Sequence, residues 1–132
     1  MTTGIVAYGA YLPYGRLDRK AIGEALGAST GSGTRTVASY DEDTTSLGVE
    51  AARLALRGTL LRPEALYFAT AAPAYLDKTN ATAIHAALDL DAGAPAFDML
   101  GSVRSGAGAL HAALDAAHPT LAVLSDVRTG LP

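Results

Sequence analysis

The sequence contains no cysteine. Without a thiol there are no disulfides, no thiolate zinc or iron–sulfur ligation, and no cysteine nucleophile. Histidine is nearly as scarce, with only His85, His111 and His118 present, too few for a histidine-rich metal cage or a relay of imidazoles. Charge is sparse and mixed: ten Lys and Arg stand against thirteen Asp and Glu, for a net charge of −3, with no run of one sign. Nucleic-acid and anionic-membrane partners are therefore not expected, because both require a concentrated basic face. No apolar run approaches the roughly 18 to 20 residues of a membrane span, and residues 1–4 lack the basic start and apolar stretch of a secretory signal. A soluble cytoplasmic protein is expected.

What is present is a chain of 132 residues, 49% hydrophobic and 17% charged. Such a chain is apolar enough to fold, and its length suits one domain with one core. Residues 4–13, GIVAYGAYLP, form an apolar run ended by proline and read as a buried strand. Asp18 is placed to cap a short helix carrying Ala21, Ile22, Ala25 and Leu26, which Gly27 closes in a left-handed position. Residues 28–39 are rich in Ser, Thr and Gly without periodicity, and read as a surface loop. Residues 41–44 supply capping oxygens for a second helix, with Leu47, Ala51 and Leu54 as its apolar stripe and Glu50, Arg53 and Arg57 opposite. A second buried strand follows over 66–70, then a short alanine-rich helix over 81–88 and a third strand over 95–100. Val103, Ala107, Leu110, Leu114 and Ala117 are spaced by four, three, four and three, a helical signature. Pro119 ends that helix, and 121–125 read as a fourth strand.

Strands that alternate with helices and are apolar throughout imply an α/β fold, its mostly parallel sheet covered by helices on both faces. Gly106 and Gly108 lie inside the last helix, where each costs about 1 kcal/mol relative to alanine, so something is expected to approach that helix closely. Residues 125–132 leave the fourth strand with no closing helix, and the fold is expected to be incomplete.

Four stretches, in this order, resemble the N-terminal half of the thiolase superfamily. The branch is that of ketoacyl-acyl-carrier-protein synthase III and 3-hydroxy-3-methylglutaryl-CoA synthase. Residues 4–13 resemble the opening strand of those enzymes. Residues 40–44 (YDEDT) running into 49–56 (VEAARLAL) resemble their second helix, and 96–98 (AFD) followed by 101–106 (GSVRSG) resemble the turn that carries their nucleophile. Residues 124–126 (LSD) resemble the strand end that follows. The resemblance spans nearly the whole chain. It implies a thiolase-like half-domain that handles CoA or acyl-carrier thioesters in acyl transfer or carbon–carbon bond formation, with no cofactor beyond a coenzyme A thioester as substrate. It also implies a C-terminal half or companion chain, a homo- or hetero-oligomer and, as in some relatives, an oligonucleotide-fold partner protein.

In those enzymes the nucleophilic cysteine lies five residues after the aspartate of the AFD stretch, where the helix dipole stabilises its thiolate. Here that position is Val103, which cannot be acylated. The glutamate general acid of the hydroxymethylglutaryl-type synthases aligns with Ala71. No catalytic residue is therefore expected in this chain, and alone it is expected to be inactive.

Substrate contacts are assigned to Arg104, Arg35 and Ser102. An unpaired arginine is costly to bury, so Arg104 should reach solvent, a carboxylate or an anionic ligand. Residues 31–35 (GSGTR) can cradle a phosphate with Arg35 as its partner, although a flexible loop is the simpler reading. The resemblance adds that these synthases hold the nucleotide end of CoA with basic residues near this loop. Ser102 reads first as a helix cap, with no Ser–His–Asp order around it. Asp98, at the end of a buried strand, needs partners and is expected to accept local backbone hydrogen bonds. The histidines read as structural or solvent-facing, His118 as a cap near a helix C-terminus. The alternative function is a non-catalytic structural or assembly subunit of an acyltransferase or thiolase complex. An uncovered sheet edge and an exposed apolar side at Leu110 and Leu114 would favour it. A nucleotide-binding doubly wound domain is disfavoured by the missing glycine fingerprint.

Overall fold

A computed structural model describes residues 3–128. Its elements are β1 (Gly15–Asp18), α1 (Arg19–Leu26), β2 (Thr34–Val37), α2 (Thr44–Leu56), β3 (Ala65–Thr70), α3 (Asn80–Ala87), β4 (Ala96–Leu100), α4 (Arg104–Asp115) and β5 (Thr120–Leu124). The main sheet is parallel, in the order β4-β3-β5, with Phe68 in register with Asp98 on one side and Val123 on the other. Central β3 is buried along nearly all of its length, which is why it reads as a continuous apolar run. Helices α2 and α3 cover one face. A methyl group on Gly48 of α2 would lie 3.0 Å from Val123 and 3.3 Å from both Ile84 and Phe68, so the smallest residue sits where helix and sheet press closest.

Helix α4 covers the other face. Gly106 lies against Leu124 and Gly108 against Met99. The close approach inferred from these glycines is thus made by the chain's own sheet. The α/β class with a parallel sheet between helical layers is the observed architecture.

Caps set the helix starts. Asp18 accepts the Lys20 N–H at 2.9 Å, and Gly27 ends α1 with φ +61°. Asp43 and Ser46 form a reciprocal capping box at α2, satisfying donors that the first helical turn cannot.

Four local expectations are corrected. Residues 4–13 form no strand: they are unpaired, with Ile5 71% and Val6 70% exposed. β propensity needs a neighbour to supply ladder partners, and none of the described residues does so. Residues 28–39 are not wholly loop, because 34–37 pair antiparallel with 15–18 as β2 and β1. The buried stripe of α2 runs through Thr45, Gly48, Val49 and Ala52 rather than Ala51 and Leu54, because the Gly48 contact turns that face inward. In α4 the buried residues are Gly106 and Ala109, while Val103, Ala107, Leu110, Leu114 and Ala117 remain exposed. Close packing selected the small residues over the large ones. Residues 129–132, on which the expected lack of a closing helix partly rests, lie outside the described residues.

Candidate functional site

In α/β folds, ligands gather at the carboxyl ends of parallel strands. Here that edge brings together Ala71 and Ala72 after β3, Gly101 to Val103 after β4, and Ser125 and Asp126 after β5. The register pairs Thr70 with Leu100 and Ala69 with Leu124, so the two positions expected to have lost catalytic groups, Ala71 and Val103, follow neighbouring strands. Gly101 makes the turn at φ +111°, with open space around it. Glycine is needed there for the backbone conformation and not for room.

Val103 is 79% exposed and in helical conformation at the start of α4. Ser102 does not cap this helix. The chain is already in the helical region at Val103, and no side chain caps the end, whereas a capping hydroxyl works from an extended residue. The hydroxyl of Ser105 instead donates to the Leu100 carbonyl at 3.0 Å. Arg104 is exposed in the first turn. Among the described residues the ion pair is Arg53 with Glu50, so Arg104 faces solvent without a carboxylate partner. Arg35 lies on β2 and is half-buried, its guanidinium donating to the Arg128 carbonyl at 3.2 Å. One of its five donors is thereby used, and β2 is tied to the stretch that follows β5.

Asp126 was unassigned by sequence reasoning beyond its place in the LSD stretch. Its carboxylate accepts the Thr70 hydroxyl at 3.0 Å and the Ala71 N–H at 2.7 Å, while the Thr70 hydroxyl accepts the Ala72 N–H at 3.1 Å. The turn at Ala71 is therefore fixed from the neighbouring strand. Thr44 at the start of α2 donates to the Ala72 carbonyl at 2.8 Å, holding the same turn from the helical layer.

Asp98 does accept backbone hydrogen bonds, but not local ones. It takes the Asn80 N–H (2.8 Å), the Asn80 side-chain amide (3.0 Å) and the Ala81 N–H (2.6 Å). It thus caps α3, whose own Thr79 makes no side-chain cap bond. Asn80 is fully buried. Its Oδ1 accepts the Tyr75 N–H and the Thr45 hydroxyl, and its amide donates to the Tyr75 carbonyl, so one side chain joins α2, the β3–α3 loop and β4. Asn80 lies just before the alanine-rich helix expected over 81–88, and no spacing rule marks it.

The perturbed ionisable groups are elsewhere. Glu42 is held below the usual carboxylate range, first by the Ser39 N–H at 2.7 Å and then by the Tyr11 hydroxyl at 2.5 Å. The same carboxylate raises Tyr11 above its ordinary value. Both precede α2 and brace its entry. His85 contacts the Asp91 carbonyl at 3.0 Å. His118 contacts the Thr120 hydroxyl at 3.2 Å instead of capping a helix, because α4 ends at Asp115. Among the described residues no group of three metal-binding side chains converges, and no helix is long and apolar enough to cross a membrane.

No family model matches the sequence. The chain is 33% identical over 138 residues to the hydroxymethylglutaryl-CoA synthase of Pyrococcus furiosus, covering 98% of this chain and 39% of that enzyme. Against β-ketoacyl-[acyl carrier protein] synthase III from Thermus thermophilus, the fold superposes with a TM-score of 0.74 at 30% identity, covering 84% of this chain and 37% of that one. The chain belongs to the thiolase superfamily. It corresponds to the N-terminal half, of the hydroxymethylglutaryl-CoA synthase and ketoacyl synthase III type. MvaS, solved in complex with 3-hydroxy-3-methylglutaryl coenzyme A, shares the same fold over 99% of this thiolase-like chain, with a TM-score of 0.86 at 24% identity. The chain spans about a third to two fifths of the length of the curated relatives it matches, 33% for the Thermococcus sibiricus enzyme and 39% for that of Pyrococcus furiosus.

Proposed function

We propose that this chain is the non-nucleophilic N-terminal half of a thiolase-superfamily protein that handles CoA or acyl-carrier thioesters, with Val103 standing where the catalytic cysteine of its relatives would be. The exposed Val103 at the turn from β4 into α4, in a sequence without cysteine, carries this reading. Ala71, on the neighbouring strand end, stands in the general-acid position. The chain therefore offers a thioester neither a nucleophile nor an acid, and its part is to shape and bind. Arg104 is free to meet an anionic group at the α4 N-terminus, where cation and helix dipole add for a bound anion. Arg35 keeps four donors for the same purpose, and Ser102 leaves its hydroxyl uncommitted by a cap.

The test is intact mass after incubation with acetyl-CoA, beside a calorimetric CoA titration. The expected results are no acetyl adduct, together with CoA binding that weakens at least about tenfold in Arg104→Ala, as loss of a charge-assisted phosphate contact would give. Val103→Cys should restore a thiol that iodoacetamide alkylates faster than a cysteine at Ala107, because the helix terminus favours the thiolate. An acetylated wild-type chain would overturn the reading. A second reading, an assembly subunit without substrate, is favoured by the half-exposed Leu110 and Leu114 and by the edge of β5, unpaired among the described residues. It predicts no CoA binding.

A further inference from the structure

We propose that Tyr11 is a positioning residue for the loop at the carboxyl edge of the sheet: through Glu42 and the entry of α2 it ties residues 3–13 to residues 71–75. Four consecutive side chains at that entry reach four different partners. Glu42 accepts the Tyr11 hydroxyl at 2.5 Å. Asp43 accepts the Ser46 N–H at 2.7 Å. Thr44 donates to the Ala72 carbonyl at 2.8 Å, and Thr45 donates to Asn80 Oδ1 at 3.2 Å. Of these only the Asp43 bond serves to start the helix. The other three lead away from α2, one toward the N-terminal segment and two toward the loop after β3.

The two ends of this linkage are held differently. On the loop side Thr44 and Thr45 are buried. Asn80, which Thr45 meets, accepts the Tyr75 N–H at 2.9 Å and donates to the Tyr75 carbonyl at 3.0 Å. The first turn of α2 therefore fixes the loop at Ala72 and again at Tyr75. On the other side, among the described residues, 3–12 make no main-chain hydrogen bond. They are placed by the close approach of Gly9 to the backbone of Ala51, Leu54 and Ala55, and by the Tyr11 hydroxyl, whose bond to Glu42 is the one side-chain hydrogen bond they make there. A bond to a carboxylate is about twice as strong as one between neutral groups, and the Ser39 N–H holds the second oxygen of Glu42 in place at 2.7 Å.

Between its ends the linkage is stiff. The Ser39 carbonyl accepts the Glu42 N–H at 3.1 Å, and the Asp43–Ser46 box closes the residues that follow, so 39–46 move as a unit. Displacement of Tyr11 is passed through Glu42 to Thr44, and from Thr44 to the Ala72 carbonyl. The turn at Ala71 is thus held from β5 by Asp126 and, at one remove, from residues 3–13 by Tyr11. If Tyr11 anchored only its own segment, its loss would leave Ala72 where it is. The linkage consists of hydrogen bonds within the chain and does not require that the chain bind CoA.

Nuclear magnetic resonance with amide hydrogen exchange tests it on the whole chain. Tyr11→Phe removes one hydroxyl and keeps the ring. The Ala72 carbonyl-carbon shift, which reports the bond from Thr44, should move toward its value in Thr44→Val, and the Ala71 and Ala72 amides should exchange at least about fivefold faster. The Leu66 amide, bonded to the Pro95 carbonyl at 2.9 Å at the other end of β3, should keep its rate, which separates repositioning from a loss of global stability. Glu42→Gln leaves Tyr11 a neutral acceptor and should give an intermediate shift. In the Thr44→Val background Tyr11→Phe should add nothing at Ala72, because the link is already cut. An Ala72 carbonyl unmoved by Tyr11→Phe overturns the proposal. So does full additivity of the two substitutions, or a Leu66 rate that rises as much as those of Ala71 and Ala72. The CoA titration is read separately, so the linkage and the thioester reading fail independently.

Discussion

Replacing Asp98 by alanine should unfold this protein's third helix from the outside. Among the described residues the carboxylate is the only side-chain cap α3 has, reaching it across 17 to 18 residues of sequence from β4. Its removal orphans the Asn80 N–H, one Asn80 side-chain N–H and the Ala81 N–H, on two residues that are 0% exposed. A buried unsatisfied donor costs about 1 to 3 kcal/mol. Asp98 is itself half-buried, so water can reach part of the vacated space and the lower figure applies to each donor. The lost charge at the helix N-terminus adds about 0.5 kcal/mol. The total is about 3 to 4 kcal/mol, a large share of the roughly 5 to 15 kcal/mol that holds a domain together. With a urea slope of about 2 kcal/mol/M, the midpoint should fall by about 1.5 to 2 M with the slope unchanged. Asp98→Asn keeps one acceptor but turns an NH₂ toward donors, and should cost about 2 kcal/mol. A midpoint shift below about 0.5 M for the alanine variant, about 1 kcal/mol at that slope, would refute the assignment of Asp98 as the cap of α3.

Two glycine substitutions in helices should have opposite signs in thermal melts. Gly48→Ala places a methyl 3.0 Å from Val123 and 3.3 Å from Ile84 and Phe68, and overpacking of about 1 to 3 kcal/mol outweighs a helix preference of about 1, for a net loss near 1 kcal/mol. Gly108→Ala meets only the mobile end of Met99 at 3.3 Å and should gain about 0.5 to 1 kcal/mol. Asp43→Ala breaks the capping box and should cost about 1 to 2 kcal/mol by denaturant titration, whereas Thr79→Ala, which loses no cap bond, should cost a few tenths at most. Acid titration of stability should report Glu42. Its folded pKa is lowered, so its contribution is complete above the ordinary value of 4.5 and disappears as pH falls through the folded value. Glu42→Gln should flatten the acid limb of midpoint against pH, and an unchanged limb would remove Glu42 from the account. Tyr11 is raised above 10, so its contribution is present below pH 10 and disappears above it.

Local physics was legible in the residues themselves. Asp18 with Gly27 bounded α1, and Asp43 opened α2, because caps answer needs of the nearest helical turn. The continuous apolar run at Leu66 to Thr70 announced a strand buried on both faces, and alternation of such strands with helices announced the parallel sheet. What remained depended on partners distant in sequence. Whether residues 4–13 pair is decided by what lies beside them, and the same β propensity that failed there succeeded at 34–37 because β1 was available. Hydrophobic spacing placed Leu110 and Leu114 on the apolar side of α4, but contact distance decided which side meets the sheet: only glycine and alanine let the helix settle onto Leu124 and Met99. Asn80 and Asp126 owe their roles to side chains 18 and 56 residues away. Composition and periodicity express the preferences of a segment, whereas pairing, close approach and hydrogen-bond satisfaction are properties of two segments at once, and only the folded chain brings them together.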